Sequence, residues 1–470
     1  MPFNQGALFR RRVSRNLSFD RKVLVKNKKF CCHFLIDCLA AALLLAGGVS
    51  GAFRLPLVWA GTPSDSLTGS IPLLTLSRAI RLGLARNPEL EEGRARIARD
   101  QARSVQAGEL QDPMFVVGEQ YFPINFNMGA SVLTMTTVGI RQDLPPWGKR
   151  ALLRQTAVHE EKASRWNLED KKALLVRNIR IAWLDFYRTQ KEEGILRSDG
   201  ALWENAFQAA LGRYRQGAGT ESDVLLAQYQ KDAIRDEMEK VRLTGEKSLY
   251  RLMNLLHVSQ PFRISLEEPR FPDPLPESVL LKRIKDHPAL ESRTAKDDAQ
   301  QTRVRSAEKD KIPAVSVEGD YSYFMGPSLI TSTPNLFSVL LSFNLPVRPG
   351  ERQDQKVAEE EHTLNMLEAD LETKRQRFIE EIRDSEGIYQ HLLSREAILD
   401  RILLPESERA AGAALAAYAT GTLEMGQVLS AMEQVENVKL RSLSVRVDRL
   451  KTIAELSYLS GALQGGPHEP

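Results

Sequence analysis

Two stretches about two hundred residues apart follow one plan, and that duplication restricts the chain to folds built from two like halves. Asn87-Pro88-Glu89-Leu90 returns as His287-Pro288-Ala289-Leu290, and Pro113, Val117 and Tyr121 return as Pro313, Val317 and Tyr321. The register then drifts slightly: Leu144-Pro145 is answered by Leu345-Pro346, and Gly148 by Gly350. Farther on, Tyr214, Gly217, Val224, Leu225 and Ala227 are answered by Tyr418, Gly421, Val428, Leu429 and Ala431. Short periods of about 20 to 50 residues build solenoids. A period this long duplicates a whole structural unit.

Each unit holds a hairpin inside a chain that otherwise reads as helix. In the second copy Val315, Val317, Gly319, Tyr321 and Tyr323 alternate with Ser316, Glu318, Asp320 and Ser322. The returning run sets Phe337, Val339, Leu341 and Phe343 against Ser338, Ser342 and Asn344. A period of two gives one apolar and one polar strand face. The spacing predicts strands over about 114–122 and 133–144 in the first copy, and 314–324 and 336–345 in the second. In the first copy Phe115, Val117 and Tyr121 share a face with an intruding Glu119. Val138 and Ile140 there oppose Thr137, Gly139, Arg141 and Asp143.

Around the hairpins the pattern is helical. Leu76 to Asn87 predicts a short helix, Asn87-Pro88 a junction, and the following stretch a second helix to Gln111. No proline occurs from Lys149 to Arg213, and Leu175, Ile179, Trp183 and Phe186 fall three or four apart. At ~1.5 Å per residue this is a rod of ~100 Å with one apolar seam, which must pack lengthwise on neighbours. Gly194 and Gly200 mark a candidate kink. Gly217-Ala218-Gly219 predicts a turn, with Ser222 or Asp223 capping the return helix to Leu256. The second copy predicts a helix from Gly350 to Tyr418, kinked or broken at Pro405, a turn at Gly421 and a return to Leu459.

The domain plan is then residues 74–256 and 277–461 as the repeats, 257–276 as the linker between them and 462–470 as a disordered tail. Residues 1–60 read as a signal peptide, with a basic segment, the apolar run Leu39 to Ala46 and cleavage after Ala52 or Ala60; 61–73 is a linker. A retained anchor is the alternative, against which the run is short beside the ~20 residues a spanning helix needs. The net charge of +3 is misleading, because the first sixty residues hold ten Lys/Arg and two Asp/Glu. The rest carries 54 Lys/Arg against 59 Asp/Glu, which gives no basis for nucleic-acid binding. All three cysteines (Cys31, Cys32 and Cys38) lie in the leader, so the body has no disulfide, thiolate metal site or cysteine nucleophile.

Four strands of this length suit a tilted barrel-spanning strand but cannot close a barrel, and an open edge is not tolerated in lipid. Membrane hairpins would require several chains to share one barrel. Three chains give twelve strands, with Arg141, Asp143, Ser316, Glu318, Asp320, Ser338 and Ser342 towards a wet lumen. The fold class expected is mainly α with membrane β: a duplicated unit of helix, β-hairpin and long helical hairpin.

The duplication, the Asn-Pro-x-Leu junction and the Tyr-x-x-Gly turn followed by Val-Leu-x-Ala resemble the TolC-type outer-membrane efflux factors over residues 74–461. The stretches QAGELQDPMFVVGEQYFPI and VGIRQDLPPWGKRALLR resemble the branch serving heavy-metal (CusC/CzcC-like) and other RND pumps. The resemblance implies a homotrimer in the outer membrane of a Gram-negative bacterium, with a twelve-stranded barrel in outer-membrane lipid above a long periplasmic α-barrel. Its implied partners are a periplasmic adaptor (membrane fusion) protein and an inner-membrane RND pump. It places the turns carrying Tyr214, Gly217, Gly219, Tyr418, Gly421 and Thr422 at the tip where the adaptor docks. Family members set aspartates in the second return helix as a pore-narrowing ring. This chain has Gln427 and Ser430 there, leaving Glu221, Asp223 and Glu424 as the nearby acidic gate candidates.

No catalytic constellation accompanies these features. Six histidines follow the leader, and none is spaced with a second as a metal pair; His159-Glu160-Glu161 and Glu359-Glu360-Glu361-His362 are charge runs that splay around a helix. Neither a phosphate-binding loop nor a Gly-x-Ser-x-Gly elbow occurs, so neither enzyme chemistry nor a cofactor is expected. The expected function is a passive exit duct of a tripartite efflux system for small molecules or metal ions. Two alternatives stay open: the outer-membrane part of type I protein secretion, and a periplasmic coiled-coil scaffold whose hairpins form soluble sheets.

Overall fold

A computed structural model of the chain describes residues 73–124, 126, 133–324 and 335–461. The expected signal peptide, most of the expected linker after it and the expected tail lie outside the described residues.

Strand β1 (Leu73–Leu74) precedes helices α1 (Leu76–Arg86) and α2 (Pro88–Gln106). Strands β2 (Met114–Gln120) and β3 (Met135–Leu144) lead to α3 (Lys149–Arg215), a single helix of 67 residues, and its return α4 (Glu221–Leu256). After β4 (Arg263–Ile264), the second copy runs α5 (Glu277–Arg283), α6 (Pro288–Glu308), β5 (Val315–Phe324), β6 (Leu336–Phe343) and α7 (Gln353–Ile398). A π-helical segment, Leu399–Leu403, joins α7 to α8 (Leu404–Ala419), and α9 (Met425–Leu459) returns. Each strand falls one or two residues short of its predicted limits at one end and meets them at the other, and α2 stops at Gln106 rather than Gln111.

Both repeats carry the same helix junction, built from different side chains. Asn87 caps α2 by accepting from the Glu89 amide at 2.9 Å, and its Nδ2 donates to the Leu255 carbonyl at 3.3 Å. His287 does both jobs in the second copy. Its Nδ1 accepts from the Ala289 amide at 3.2 Å, which leaves the proton on Nε2 to donate to the Tyr458 carbonyl at 3.1 Å. The ring is fully buried, edge-on to Phe378 and Tyr458 at 4.6 and 5.1 Å. Burial holds the His287 imidazole below the ordinary histidine range.

The sheet runs β2-β3-β5-β6, all antiparallel, so the two hairpins meet at β3 and β5. The register lines apolar residues across all four strands: Phe115, Ile140, Gly319 and Val339 in one row, Val117, Val138, Tyr321 and Phe337 in the next. All of these but Gly319 are large apolar side chains open to the surroundings. At ~3.4 Å per residue, β5 is ~34 Å long, enough to cross a bilayer core at a tilt. Among the described residues no helix is long and apolar enough to cross a membrane.

Below the sheet, α3 is the central rod, packed against α2 and α4 of its own repeat and α6 and α9 of the other. Its seam buries Ile179, Trp183, Leu184, Leu196 and Trp203. The predicted kink at Gly194 and Gly200 is absent from its helical hydrogen bonding, because neighbours support the rod along its length and an interior glycine costs only about 1 kcal/mol. Pro405 does interrupt its helix. Lacking an N–H and crowding the carbonyl of Arg401, it opens the preceding turn to π spacing rather than breaking the rod.

The segment between the repeats is more structured than its Pro-rich composition suggests. β4 pairs in parallel with β1, two-residue strands too short to carry a period. Glu268 in the same segment lies within 4 Å of Arg446 and Arg449, which also pair with Glu396; Arg446 reaches Asp400 in the π segment at 2.6 Å.

Candidate functional site: the tip turns and the polar sheet face

The two helical hairpins turn by the same device. Gly217 and Gly421 take φ values of +72° and +79°, the left-handed conformation that glycine adopts without a Cβ penalty. In each turn the next amide reaches back five residues, Ala218 to Arg213 at 2.9 Å and Thr422 to Ala417 at 3.0 Å. The Thr422 hydroxyl donates to that same Ala417 carbonyl at 2.9 Å. A Cβ on Gly219 would lie 3.2 Å from the Tyr214 amide, so that residue too must be small.

Arg213 joins the two turns. Its guanidinium donates to the Tyr418 carbonyl and, at 3.0 Å, to the Ala218 carbonyl, and it stacks 4.5 Å from the centre of the Tyr418 ring. Tyr418 is buried in a cluster with Trp203, Ala210, Met425, Val428 and Leu429, whereas its counterpart Tyr214 is 45% exposed. Burial and the Asp223 carboxylate push the Tyr418 phenol up, and Arg213 opposes them. The sequence missed this bridge. Its one legible sign is an arginine before Tyr214 where the second copy has Ala417.

The acidic gate candidates divide. Asp223 is engaged: Thr220 is the true cap of α4, accepting from the Asp223 amide at 3.2 Å, and the Asp223 carboxylate accepts from the Thr220 amide at 3.3 Å. Thr220 thus replaces the predicted caps Ser222 and Asp223, since only a residue three before the amide can close this box. Glu221, Glu424, Gln427 and Ser430 are exposed, and Glu424 begins α9 without a side-chain cap bond.

On the polar face of the sheet, Asp143 accepts from Ser316 at 2.6 Å and from Arg141 at 3.2 Å, and Arg141 reaches Ser316 at 3.3 Å. Glu318 sits opposite Arg141 in register. Asp320 departs from its expected open position. It lies folded over Gly139, where a Cβ would fall 1.9 Å from its Oδ1, and is 8% exposed. The missing side chain at Gly139 leaves the space on β3 that the carboxylate occupies. Among the described residues no group of three or more His, Cys, Asp or Glu is placed to hold a metal ion. His159 instead approaches Asp298 at 3.7 Å.

Residues 281–462 match the family model described as outer membrane efflux protein. No curated protein matches the chain. Among solved structures, a membrane protein from Pseudomonas aeruginosa is similar at a TM-score of 0.73 and 18% identity, covering 84% of this chain and 92% of that one. The outer-membrane channel OprN is similar at 0.71 and 18% identity, over 82% of this chain and 89% of its own. CusC, described by its transmembrane channel formation, is similar at 0.70 and 15% identity, over 82% and 92%. The chain has the fold of an outer-membrane channel. The expected architecture of hairpin strands above long helical hairpins holds in both repeats, and the matched family segment covers nearly all of the second.

Proposed function

We propose that the chain is a homotrimeric outer-membrane exit duct of a tripartite efflux system, passing small molecules or metal ions from pump to exterior. The observation that carries the reading is the four-stranded sheet, apolar across one face in every strand, with β2 and β6 left as open edges. Such a sheet is stable in lipid only when closed, and three copies give twelve strands. The exposed apolar face speaks against a soluble scaffold, which would have to cover it.

In this reading Arg141, Asp143, Glu318 and Asp320 face the lumen, and the tip turns at Tyr214, Gly217 and Gly219 and at Tyr418, Gly421 and Thr422 receive a periplasmic adaptor. An inner-membrane RND pump supplies the cargo. The heavy-metal branch is supported by the stretches 106–124 and 138–154. Gating is an iris-like rotation of the helical hairpins at the tip, with Glu221, Asp223, Glu424, Gln427 and Ser430 around the mouth. The Arg213 bridge between the hairpins holds the mouth closed.

Single-channel recording of the detergent-purified protein in a planar bilayer tests this. Discrete conductance steps are expected, and Arg213→Ala is expected to raise the closed-state leak severalfold. Absence of steps contradicts the duct; an unchanged leak contradicts the gate.

A further inference from the structure

Where each hairpin leaves the sheet, the chain repeats a short pattern that neither the duct nor the gate uses. Leu144-Pro145-Pro146-Trp147-Gly148-Lys149-Arg150 follows β3, and Leu345-Pro346-Val347-Arg348-Pro349-Gly350-Glu351-Arg352 follows β6. The prolines cannot donate to a ladder, so strand pairing stops here and each segment enters the helical part through a turn, the Lys149 amide donating to the Pro146 carbonyl at 3.0 Å and the Arg352 amide to the Arg348 carbonyl at 3.3 Å. Gly148, at φ +83°, turns the first segment into α3 directly after Trp147.

These exits expose what proteins usually cover. Trp147 is 94% exposed, Val347 83% and Leu345 73%. An edge-to-edge neighbour does not explain Trp147, because it follows β3, flanked within the chain by β2 and β5. An indole with an apolar body and one N–H donor is most stable at a membrane–water boundary. The exits follow directly on the last paired row of the sheet, Leu144, Val315 and Phe343, which is the end of the sheet where such a boundary would fall.

Charge identifies the kind of lipid. The ten-residue segments 145–154 and 345–354 carry Lys149, Arg150, Arg154, Arg348 and Arg352 against Glu351 and Asp354, and Asp354 is taken up by Lys311 at 2.6 Å. Lys149 is held by Asp310, and Arg150 donates to the Gly108 carbonyl at 2.9 Å, which fixes two of the cations at the sheet–helix junction. Arg348 lies 3.6 Å from Glu351, with more than three quarters of each side chain exposed. A pair so solvated contributes little and exchanges readily for a stronger anion. Arg352 is exposed at the start of α7.

We propose that these strand exits form a collar that binds anionic phospholipid headgroups of the periplasm-facing leaflet. Trp147, Leu345 and Val347 enter the acyl boundary, and Arg348 and Arg352 contact the phosphates. The proposal rests on the outer-membrane reading and adds a lipid preference to it.

The test reconstitutes the full chain into phosphatidylcholine vesicles containing a small fraction of phosphatidylglycerol, with bromine on the acyl chains of one lipid or the other. Flotation comes first, and failure to float overturns the membrane reading and this proposal together. For protein that floats, the emission lost in Trp147→Phe isolates Trp147. That emission is expected to be quenched, with phosphatidylglycerol enriched around it by about fivefold per arginine engaged. Arg348→Gln/Arg352→Gln is expected to abolish the enrichment while flotation persists. An unquenched Trp147, equal quenching by both lipids at equal fraction, or enrichment unchanged in the double variant overturns the collar and leaves the duct standing.

Discussion

The two repeats share a plan and carry different loads. In the first, α3 is an unbroken rod covered by helices of both repeats, and its seam is buried from Thr156 to Ala210. In the second, α7 leans chiefly on α6 and α9, and Ile388, Leu393 and Ile398 along it and Ile402 in the π segment remain exposed. Two hairpins of one plan thus differ in their neighbours, which make one of them core and the other edge. In the proposed trimer this exposed stripe is where another copy would pack.

Substitutions along the two rods should separate these roles. Trp183→Ala empties a fully buried site and is expected to cost about 3–5 kcal/mol, read as a lower midpoint of thermal unfolding followed by circular dichroism. Ile388→Glu/Ile402→Glu is expected to leave helix content unchanged and release monomers on native mass measurement. Should both changes affect folding alike, the core–edge distinction is wrong.

The interruption in the second rod offers a finer test. Pro405→Ala restores an amide and removes the clash behind the π segment, so residues 399–404 are expected to gain up to about 3 kcal/mol of local helical stability. Slower amide exchange confined to that segment would agree. Unchanged exchange would assign the π spacing to Asp400, which is bound by Ser442 and Arg446, instead of to the proline.

The smallest effect expected is at the repeat junctions. His287 is neutral when folded, and burial depresses its affinity for a proton relative to the unfolded chain. The unfolded state therefore binds more protons below about pH 6.5, so this site's contribution is full above that value and declines as pH falls towards the lower folded value. His287→Asn, copying Asn87, is expected to flatten unfolding stability between pH 7.5 and 5. A pH dependence equal to that of the parent chain would remove His287 as its source.

Much of this was legible because period and punctuation act locally. Alternation placed the four strands, the Pro junctions and left-handed glycines placed the helix ends, and Pro405 marked the one interruption. What escaped notice depends on distant partners. Arg213 matters because it meets Tyr418 across the tip, and His287 because Tyr458 supplies a carbonyl. Asp320 folds inward because Gly139 leaves room on the next strand. Thr220 was legible in principle, as the Thr-x-x-Asp box stands in the sequence, but two nearer polar residues competed for the same role.

In the proposed barrel, β2 of one copy meets β6 of the next until three copies close. Cysteines at Val116 and Leu340, one on each open edge, can be joined in the detergent-purified protein by a short bismaleimide. Covalent dimers and trimers with nothing larger are expected, and no cross-link when either cysteine is present alone. Monomers only, or a ladder running past three, would contradict it.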